Sequence, residues 1–409
     1  MFKNTDMLAK LSWRNVWRNK PRSILIMFGI AFGIAAGVFA LAMSNGIVQQ
    51  RLREAIETET SHIQIHTPDF IEEQRLKAFL PNESQVTGVL EKNKVEAFSE
   101  RTVVSGMLAS ANGNAGVQIN GIVPEDEVKV TIIHQKLLEG DYFKKHKKNS
   151  VLISAETARK MKLKLRSKVV LTMQDINGEL VGGAFRVVGI FKTNNTAYDK
   201  GNVFVLRNDL QRLVVLPEIH EVAIKVSDVE QVPMLVSQLK AELPSLKVQS
   251  WKEVQPELAY FSESTVLTNM IVLGIIMVAL AFGILNTMLM AIFERVQEIG
   301  VLMAVGMARW RIFLMIVLET VYLGIVGGVV GSVVSYLLVT FYNHKGIDLS
   351  QFSQGFNAIG FGSMVYPEVG NDLYIVIGFL VVITALLASI YPARKALSLK
   401  PNEAIRGHA

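Results

Sequence analysis

Glu294-Arg295-Val-Gln-Glu298-Ile299-Gly300-Val-Leu-Met303-Ala-Val-Gly306-Met-Ala-Arg309-Trp310-Arg311 is a short charged stretch, punctuated by glycine, between two long apolar runs. Residues 264–293 carry no charge over 30 positions, and residues 312–341 carry only Glu319. Each run exceeds the roughly 20 apolar residues that an α-helix needs to cross a bilayer. The stretch between them is therefore expected to be a loop at one membrane face. Ile299, Leu302, Met303 and Met307 recur near one side of a helix, with charge gathered at both ends, which predicts a short amphipathic helix lying there. Spacing alone leaves two readings open, a plain interfacial loop and a working part.

Of the 409 residues, 50% are hydrophobic, the net charge is +6 and none is cysteine. This balance fits a membrane protein with a sizeable soluble part; the excess cations sit beside apolar runs, where topology rather than nucleic acid accounts for them. The lack of cysteine excludes disulfides, thiolate metal sites and cysteine nucleophiles. Residues 1–23 hold six cations and one acid, with Trp13 and Trp17 spaced i, i+4, as in an amphipathic helix anchored at an interface. Ile24 to Ser44 is uncharged for 21 residues, longer than the roughly 7 to 15 of a signal-peptide core. Its Gly29, Gly33 and Gly37 form a stripe that lets another helix approach, as do Gly324 and Gly328 in the third run, unless they only reflect the frequency of glycine in membrane helices.

Counting cations orients the chain. The N-terminal arm has six, residues 294–311 have three and the tail after Ala393 has four, whereas residues 342–372 have one, Lys345. By the positive-inside rule, both termini and the opening stretch face the cytoplasm. The expected fold is an α-helical membrane protein with four transmembrane helices and a large α+β extracytoplasmic domain inserted between helices 1 and 2. The expected bounds are a cytoplasmic amphipathic helix at 1–23, spans at 24–44, 264–293, 312–341 and 373–393, the extracytoplasmic domain at 45–263, a cytoplasmic segment at 294–311, an external loop at 342–372 and a cytoplasmic tail at 394–409.

Within the insertion, Ser61-His62-Ile-Gln-Ile-His66 alternates as a half-exposed strand does. Its two histidines read as the strand's polar face or as part of a metal site, but no third ligand is placed nearby. Val117 to Pro124 reads as a strand and turn, Val151 to Ser154 as a strand leading into a helix over 155–162, and Val232 to Leu243 as a helix. Asn177-Gly178 between two apolar runs is a hairpin signal. Trp251 to Ser264 is expected to run straight into the second span. No G-x-S-x-G, H-E-x-x-H or paired-carboxylate spacing argues for hydrolysis, and no G-x-x-x-x-G-K-[ST] cradles a nucleotide. Glu319 is either a functional intramembrane acid or a partner for Arg295, Arg311 or interfacial water. The glycine-rich tip over 356–366 either dips into the outer leaflet or sits beneath the soluble domain.

One helix, a large insertion and three more helices resemble the permease subunits of the ABC transporter class that contains MacB, FtsX and the lipoprotein-releasing LolC/LolE proteins. The likeness is carried by Arg14-Asn15-x-x-Arg18-Asn19-x-x-Arg22, by Glu294-Arg295 with Glu298-Ile299-Gly300 and Gly306, and by Pro392-Ala393-x-x-Ala396 with Pro401-x-Glu403-Ala404-Ile405-Arg406. Gly46, the His62 to His66 stretch and Gly346-Ile-Asp-Leu-Ser-Gln-Phe resemble the LolC/LolE branch most. Three features depart from the pattern: Met303 stands where an arginine is usual, Arg166 where a glycine is usual, and residues 174–184 lack the proline-rich hook that recruits a periplasmic chaperone in LolC.

The resemblance implies a permease without nucleotide chemistry of its own, in the inner membrane, working with an ATPase dimer that binds ATP and Mg and with a second permease copy, identical or related. It implies ATPase coupling through Glu294, Arg295, Glu298, Ile299, Gly300, Met303 and Gly306. Extraction of lipoproteins toward the outer membrane is the implied activity, with a chaperone as a further partner beside membrane lipids; MacB-like efflux or mechanotransmission is the alternative. For acyl chains, Phe39, Leu41, Met43 and Ile47 on the first span and Tyr260, Phe261, Val266 and Leu267 on the second are the candidate lining. No cofactor, metal or nucleic acid is expected in this chain.

Overall fold

The computed structural model describes residues 2–70, 76–95, 97–143 and 148–398. The chain divides into two units, one of Met1–Val48, Glu263–Ile347 and Val365–Ala409, the other of Gln49–Ser262 and Asp348–Met364. The Pro401 to Arg406 part of the family likeness lies outside the described residues.

The first unit is helical. Helix α1 (Phe2–Arg18) ends at Asn19, and α2 (Lys20–Ala55) carries Pro21 in its first turn, where a missing N–H costs nothing. Helices α3 (Pro256–Glu294), α4 (Val296–Ala304), α5 (Arg309–Lys345) and α6 (Asn371–Leu397) follow. Among the described residues, four helices are long and apolar enough to cross a membrane, over Lys20–Thr60, Pro256–Glu294, Arg309–Lys345 and Asn371–Leu397. Each extends past the bounds expected from hydropathy, because an apolar run marks the part suited to lipid while backbone hydrogen bonding carries the helix on until a breaker intervenes. At the end of α5 that breaker is Gly346, whose φ of +73° with ψ of 160° takes the chain out of the helix in a conformation suited to glycine.

Glycines decide how closely these helices approach. A Cβ on Gly327 would stand 2.9 Å from Ile30 Cβ, and one on Gly331 2.7 Å from the Ala31 carbonyl oxygen, so α5 meets α2 backbone to backbone. Gly324 and Gly328 face the side chains of Ala385 and Val381 on α6. Gly33 and Gly37 meet the side chains of Leu280 and Ile276 on α3. Gly29 departs from the expected stripe. Nothing lies within 4 Å of its Cβ position, and it lines an apolar groove of about 450 Å³ between α2 and α3. Pro392, Ala393 and Ala396, the described part of the C-terminal likeness, are buried in the helical core.

The second unit is mixed α and β. Strands β1 (Ile63–His66), β2 (Ala97–Ser110), β3 (Gly113–Ile122), β4 (Leu137–Gly140), β5 (Ser150–Ser154), β6 (Lys168–Gln174), β7 (Leu180–Phe191), β8 (Asn202–Leu206), β9 (Glu221–Lys225) and β10 (Lys247–Ser250) belong to one sheet. Pairing runs β2–β3–β8–β5–β7–β6 and returns to β2, closing a six-stranded ring that leaves those strands no free edge. Leu108, Ile119, Val151, Leu171, Phe185 and Val205 form its core. The first part of β2 leaves the ring to pair with β9, and the order β2–β9–β1–β10 makes a second layer whose own core includes Leu90 and Leu239 from helices Glu83–Lys92 and Val232–Glu242. Where the layers meet, Arg101 is buried and bonded to Glu127 at 2.7 and 3.0 Å and to Glu221 at 2.7 Å.

The hairpin read from Asn177-Gly178 is β6–β7; Asp175 Oδ1 accepts from the backbone N–H of Asn177 and Glu179 at 2.9 and 2.8 Å, and Gly178 has φ +86°. Three expectations need correction. Strand β1 is not half-exposed: with β9 and β10 on its two sides, His62 and His66 are 7% and 0% exposed, and His62 Nδ1 accepts from Val226 N–H at 3.0 Å. Pro124 begins a short helix, Pro124–Val130, rather than a turn, since its fixed φ suits a first helical position. Trp251–Val254 does not run straight into the second span, because Gln255, with φ −124° and ψ 74°, is pushed out of the helical region by Pro256.

Arg166 has φ +67°, the conformation for which glycine is suited. Past Ala55 the chain makes a π-helical turn, Ile56–Thr60, and Glu59 there accepts from Arg51 Nη1, Asn195 Nδ2 and Gln255 Nε2 at 2.9, 2.9 and 3.0 Å. The glycine-rich tip belongs to this unit: a Cβ on Gly360 would strike the Arg51 guanidinium at 2.5 Å, and the Phe361 ring lies 5.7 Å from that of Phe261.

Gly331→Ala, which forces a Cβ against backbone, is expected to lower stability by about 1–3 kcal/mol, while Gly29→Ala, which meets nothing, is expected to leave it unchanged. Thermal unfolding of both variants in one detergent checks the contrast.

Candidate coupling segment

The helix stops at Arg295, whose φ of −112° and ψ of 19° separate α3 from α4, and it restarts at Arg309 after a turn in which Gly306 has φ +96°. Period 3.6 sorts the side chains of α4. Ile299 and Gly300 are buried, and Leu302, Met303 and Met307 are half-buried against the helical core. Val301, Ala304 and Val305 point away, Val305 being 83% exposed, and Arg309 and Trp310 extend this outward face.

Ion pairs hold the segment from within. Glu294 accepts from Arg22 Nη1 at 3.5 Å. Glu298 accepts from Arg18, at the end of α1, and from Arg295 Nε at 3.0 Å. Arg295 Nη1 also donates to both carboxylate oxygens of Glu319, at 3.2 and 3.4 Å. Helix α1 is seated on α5 by buried Leu8 and Val16, by Ser12 Oγ donating to the Met315 carbonyl at 3.2 Å, and by the Trp13 ring 5.4 Å from Tyr322. The hydrogen bond from Arg18 holds the Glu298 carboxyl below the usual carboxylate range, and Glu298 in turn raises Arg18.

The residues expected to couple thus divide by direction. Arg295, Ile299, Gly300 and Met303 look inward, Glu294 and Glu298 make ion pairs at the rim, and Gly306 supplies the turn. Sequence reasoning passed over the outward Val301, Val305 and Trp310. Their signal was present in the same helical period, on the side opposite Ile299, Leu302 and Met303.

Residues 23–242 match the MacB-like periplasmic core domain, and residues 270–401 match the FtsX-like permease C-terminal region. The chain belongs to the FtsX/MacB/LolC family of ABC transporter permeases. It is 26% identical over 325 residues to the lipoprotein-releasing system transmembrane protein LolC of Xylella fastidiosa, covering 74% of this chain and 76% of that one. To the macrolide export ATP-binding/permease protein MacB of Escherichia coli it is 25% identical over 336 residues, 79% of this chain and 51% of that protein. The crystal structure of the periplasmic region of MacB from Actinobacillus actinomycetemcomitans covers 51% of this chain and 98% of its own, at 14% identity with a TM-score of 0.35.

The candidate acyl-chain residues fare unevenly. Leu41 is buried and unavailable. Phe39 lies with its ring 5.7 Å from Tyr342, and Met43 and Ile47 are half-buried. Tyr260, Val266 and Leu267 on α3 are 75%, 54% and 61% exposed, and Phe261 meets Phe361. Gly46 lies against the backbone at Tyr366, and Glu368 N–H donates to the Ala42 carbonyl at 3.0 Å. Residues 174–184 form the end of the β6–β7 hairpin, part of which lines a groove of about 810 Å³ with Met107. Among the described residues, no group of three or more His, Asp or Glu is placed to hold a metal ion.

Because its folded-state pKa is depressed, Glu298 stabilises the joint above the ordinary carboxylate range and loses that contribution as pH falls below it. Hydrogen exchange, corrected for intrinsic rates, is expected to speed up in α1 and α4 on acidification through that window. Glu298→Gln is expected to remove the pH step.

Proposed function

We propose that this chain is the membrane subunit of an ABC transporter that draws acylated proteins out of the inner membrane, driven by an ATPase docked under α4. The observation that carries the reading is the coupling segment: a short helix held by ion pairs, with Val301 on its outward face, Val305 at its end and Trp310 at the start of α5 all exposed. These 409 residues contain no phosphate-cradling loop, so ATP and Mg²⁺ are assigned to an ATPase dimer, and a second permease copy, identical or related, completes the complex. The cation distribution supports a cytoplasmic location for both termini and residues 294–311, and a periplasmic one for the domain after the first span.

Closure of the ATPases would press on α4 and rock α3 and α5, which continue it on either side. Withdrawing an acyl chain opposes about 0.8 kcal/mol per buried CH₂, so an apolar surface must receive it. The exposed outer part of α3 around Leu267, with Met43 on α2, is assigned that role. A periplasmic chaperone, if it meets this subunit, does so without a proline-rich hook. The MacB relative favours a second reading, efflux of a peptide or antibiotic, and the nature of the captured substrate separates the two.

Val305→Asp combined with Trp310→Ala is expected to weaken ATPase co-purification about tenfold, or about 1.4 kcal/mol, with unchanged thermal stability. Met303→Arg is expected to leave it unchanged, because that side chain lies against the helical core and a long cation can reach the interface. Photo-cross-linkers at Met43 and Leu267 are expected to capture a lipoprotein in native membranes. Capture of a soluble peptide or antibiotic instead would select efflux, and capture of lipid alone would sink the substrate assignment.

A further inference from the structure

Glu319 lies within α5, about 15 Å along the helix from its start at Arg309. A carboxylate inside an apolar helix is costly unless it is paired, and this one, with its side chain 8% exposed, pairs with Arg295 among the described residues. Arg295 is where the backbone leaves the helical region between α3 and α4, with its N–H donating to the Ile292 carbonyl at 3.1 Å and its carbonyl accepting from Ile299 N–H at 3.0 Å. Its guanidinium reaches across the same bend. Its Nη1 reaches Glu319 on α5 and its Nε reaches Glu298 on α4, at 3.0 Å. A planar fork can make both contacts at once, whereas an ammonium is a single point charge. Ile299, Met315 and Ile316 wall the site, and Arg22 borders it.

The geometry points to Glu319 as a positioning residue: through Arg295 it holds α4 at one angle to α5, so that a push on α4 moves the spans instead of bending the joint. This rests on residues 294–311 being the surface that meets the ATPase.

Distances are read in the full-length permease in lipid without the ATPase, because Val305 lies on the proposed docking face, and turnover is read in the cysteine-free full complex. The chain has no cysteine, so Val305→Cys on the far end of α4 and Val329→Cys on α5, at sites 83% and 58% exposed, give two unique spin-label positions. Pulsed electron resonance is expected to show one narrow distance in the otherwise native chain and a distribution at least about twofold broader with Glu319→Gln. ATP hydrolysis should remain while substrate released per ATP falls about tenfold. Glu319→Asp, which keeps the charge, should recover much of both readouts. Arg295→Lys, which keeps Glu319 neutralised but cannot bridge, should broaden the distance even if Glu319→Gln fails to assemble. An unchanged distribution in Arg295→Lys, or equal behaviour of the Gln and Asp variants, overturns the proposal. Cross-linking of Val305→Cys to the ATPase tests the docking reading separately: its absence overturns that reading, while the distances still decide what Glu319 positions.

Discussion

Arg295 occupies a place where two demands meet. The chain must leave one apolar helix, run along a membrane face and enter another, and at that bend the backbone leaves the helical region. A guanidinium shared between Glu298 and Glu319 reaches across it, with Arg18 and Arg22 closing the ring of charge from α1 and α2. Glu319 is buried, so desolvation offsets much of its attraction to Arg295, and the half-exposed pairs of Arg18 with Glu298 and Arg22 with Glu294 are worth little energy; such pairs serve chiefly geometry. What they give the protein is a joint of defined angle.

A second joint lies at the other end of the first span, within the mixed α and β unit. Glu59, on a π-helical turn, collects donors from Arg51, from Asn195 and from Gln255, the residue immediately before α3. Tyr198 adds a hydrogen bond to the Thr58 carbonyl at 2.9 Å. The closed ring of strands behind these contacts has no free edge to splay, so the residues that grip the turn are mounted on a stiff base. At an irregular stretch of helix the first site places an arginine, Arg295, and the second a buried carboxylate, Glu59.

Much of this was legible beforehand. Thirty uncharged residues have few solutions other than a helix suited to lipid, and Asn177-Gly178 between strand-like runs matches a hairpin because glycine accepts positive φ. The inward face of α4 followed from period 3.6. Other features lay beyond reach. Alternation at Ser61 to His66 signals one polar face, yet nothing local says that β9 and β10 will flank the strand and bury both histidines. Gly29, Gly33 and Gly37 are equivalent in spacing, and only the position of α3 separates two contact glycines from an open one. Pro256 disfavours a helical Gln255, and the break it makes is fixed by the contact of Gln255 with Glu59, 196 positions away.

The amino-acid order by itself determined the number and approximate place of the apolar helices, the size of the insertion, the amphipathic character of residues 294–311 and the residue types that carry the family likeness. These depend on hydrophobicity, periodicity and turn chemistry within a few neighbouring positions. Tertiary structure decided which carboxylate meets which guanidinium. Arg295 and Glu319 are 24 positions apart and Arg18 and Glu298 are 280, and separations of that kind are closed only by the way helices stack. The segment's composition was local information; its mechanical anchoring is a property of the assembled helices.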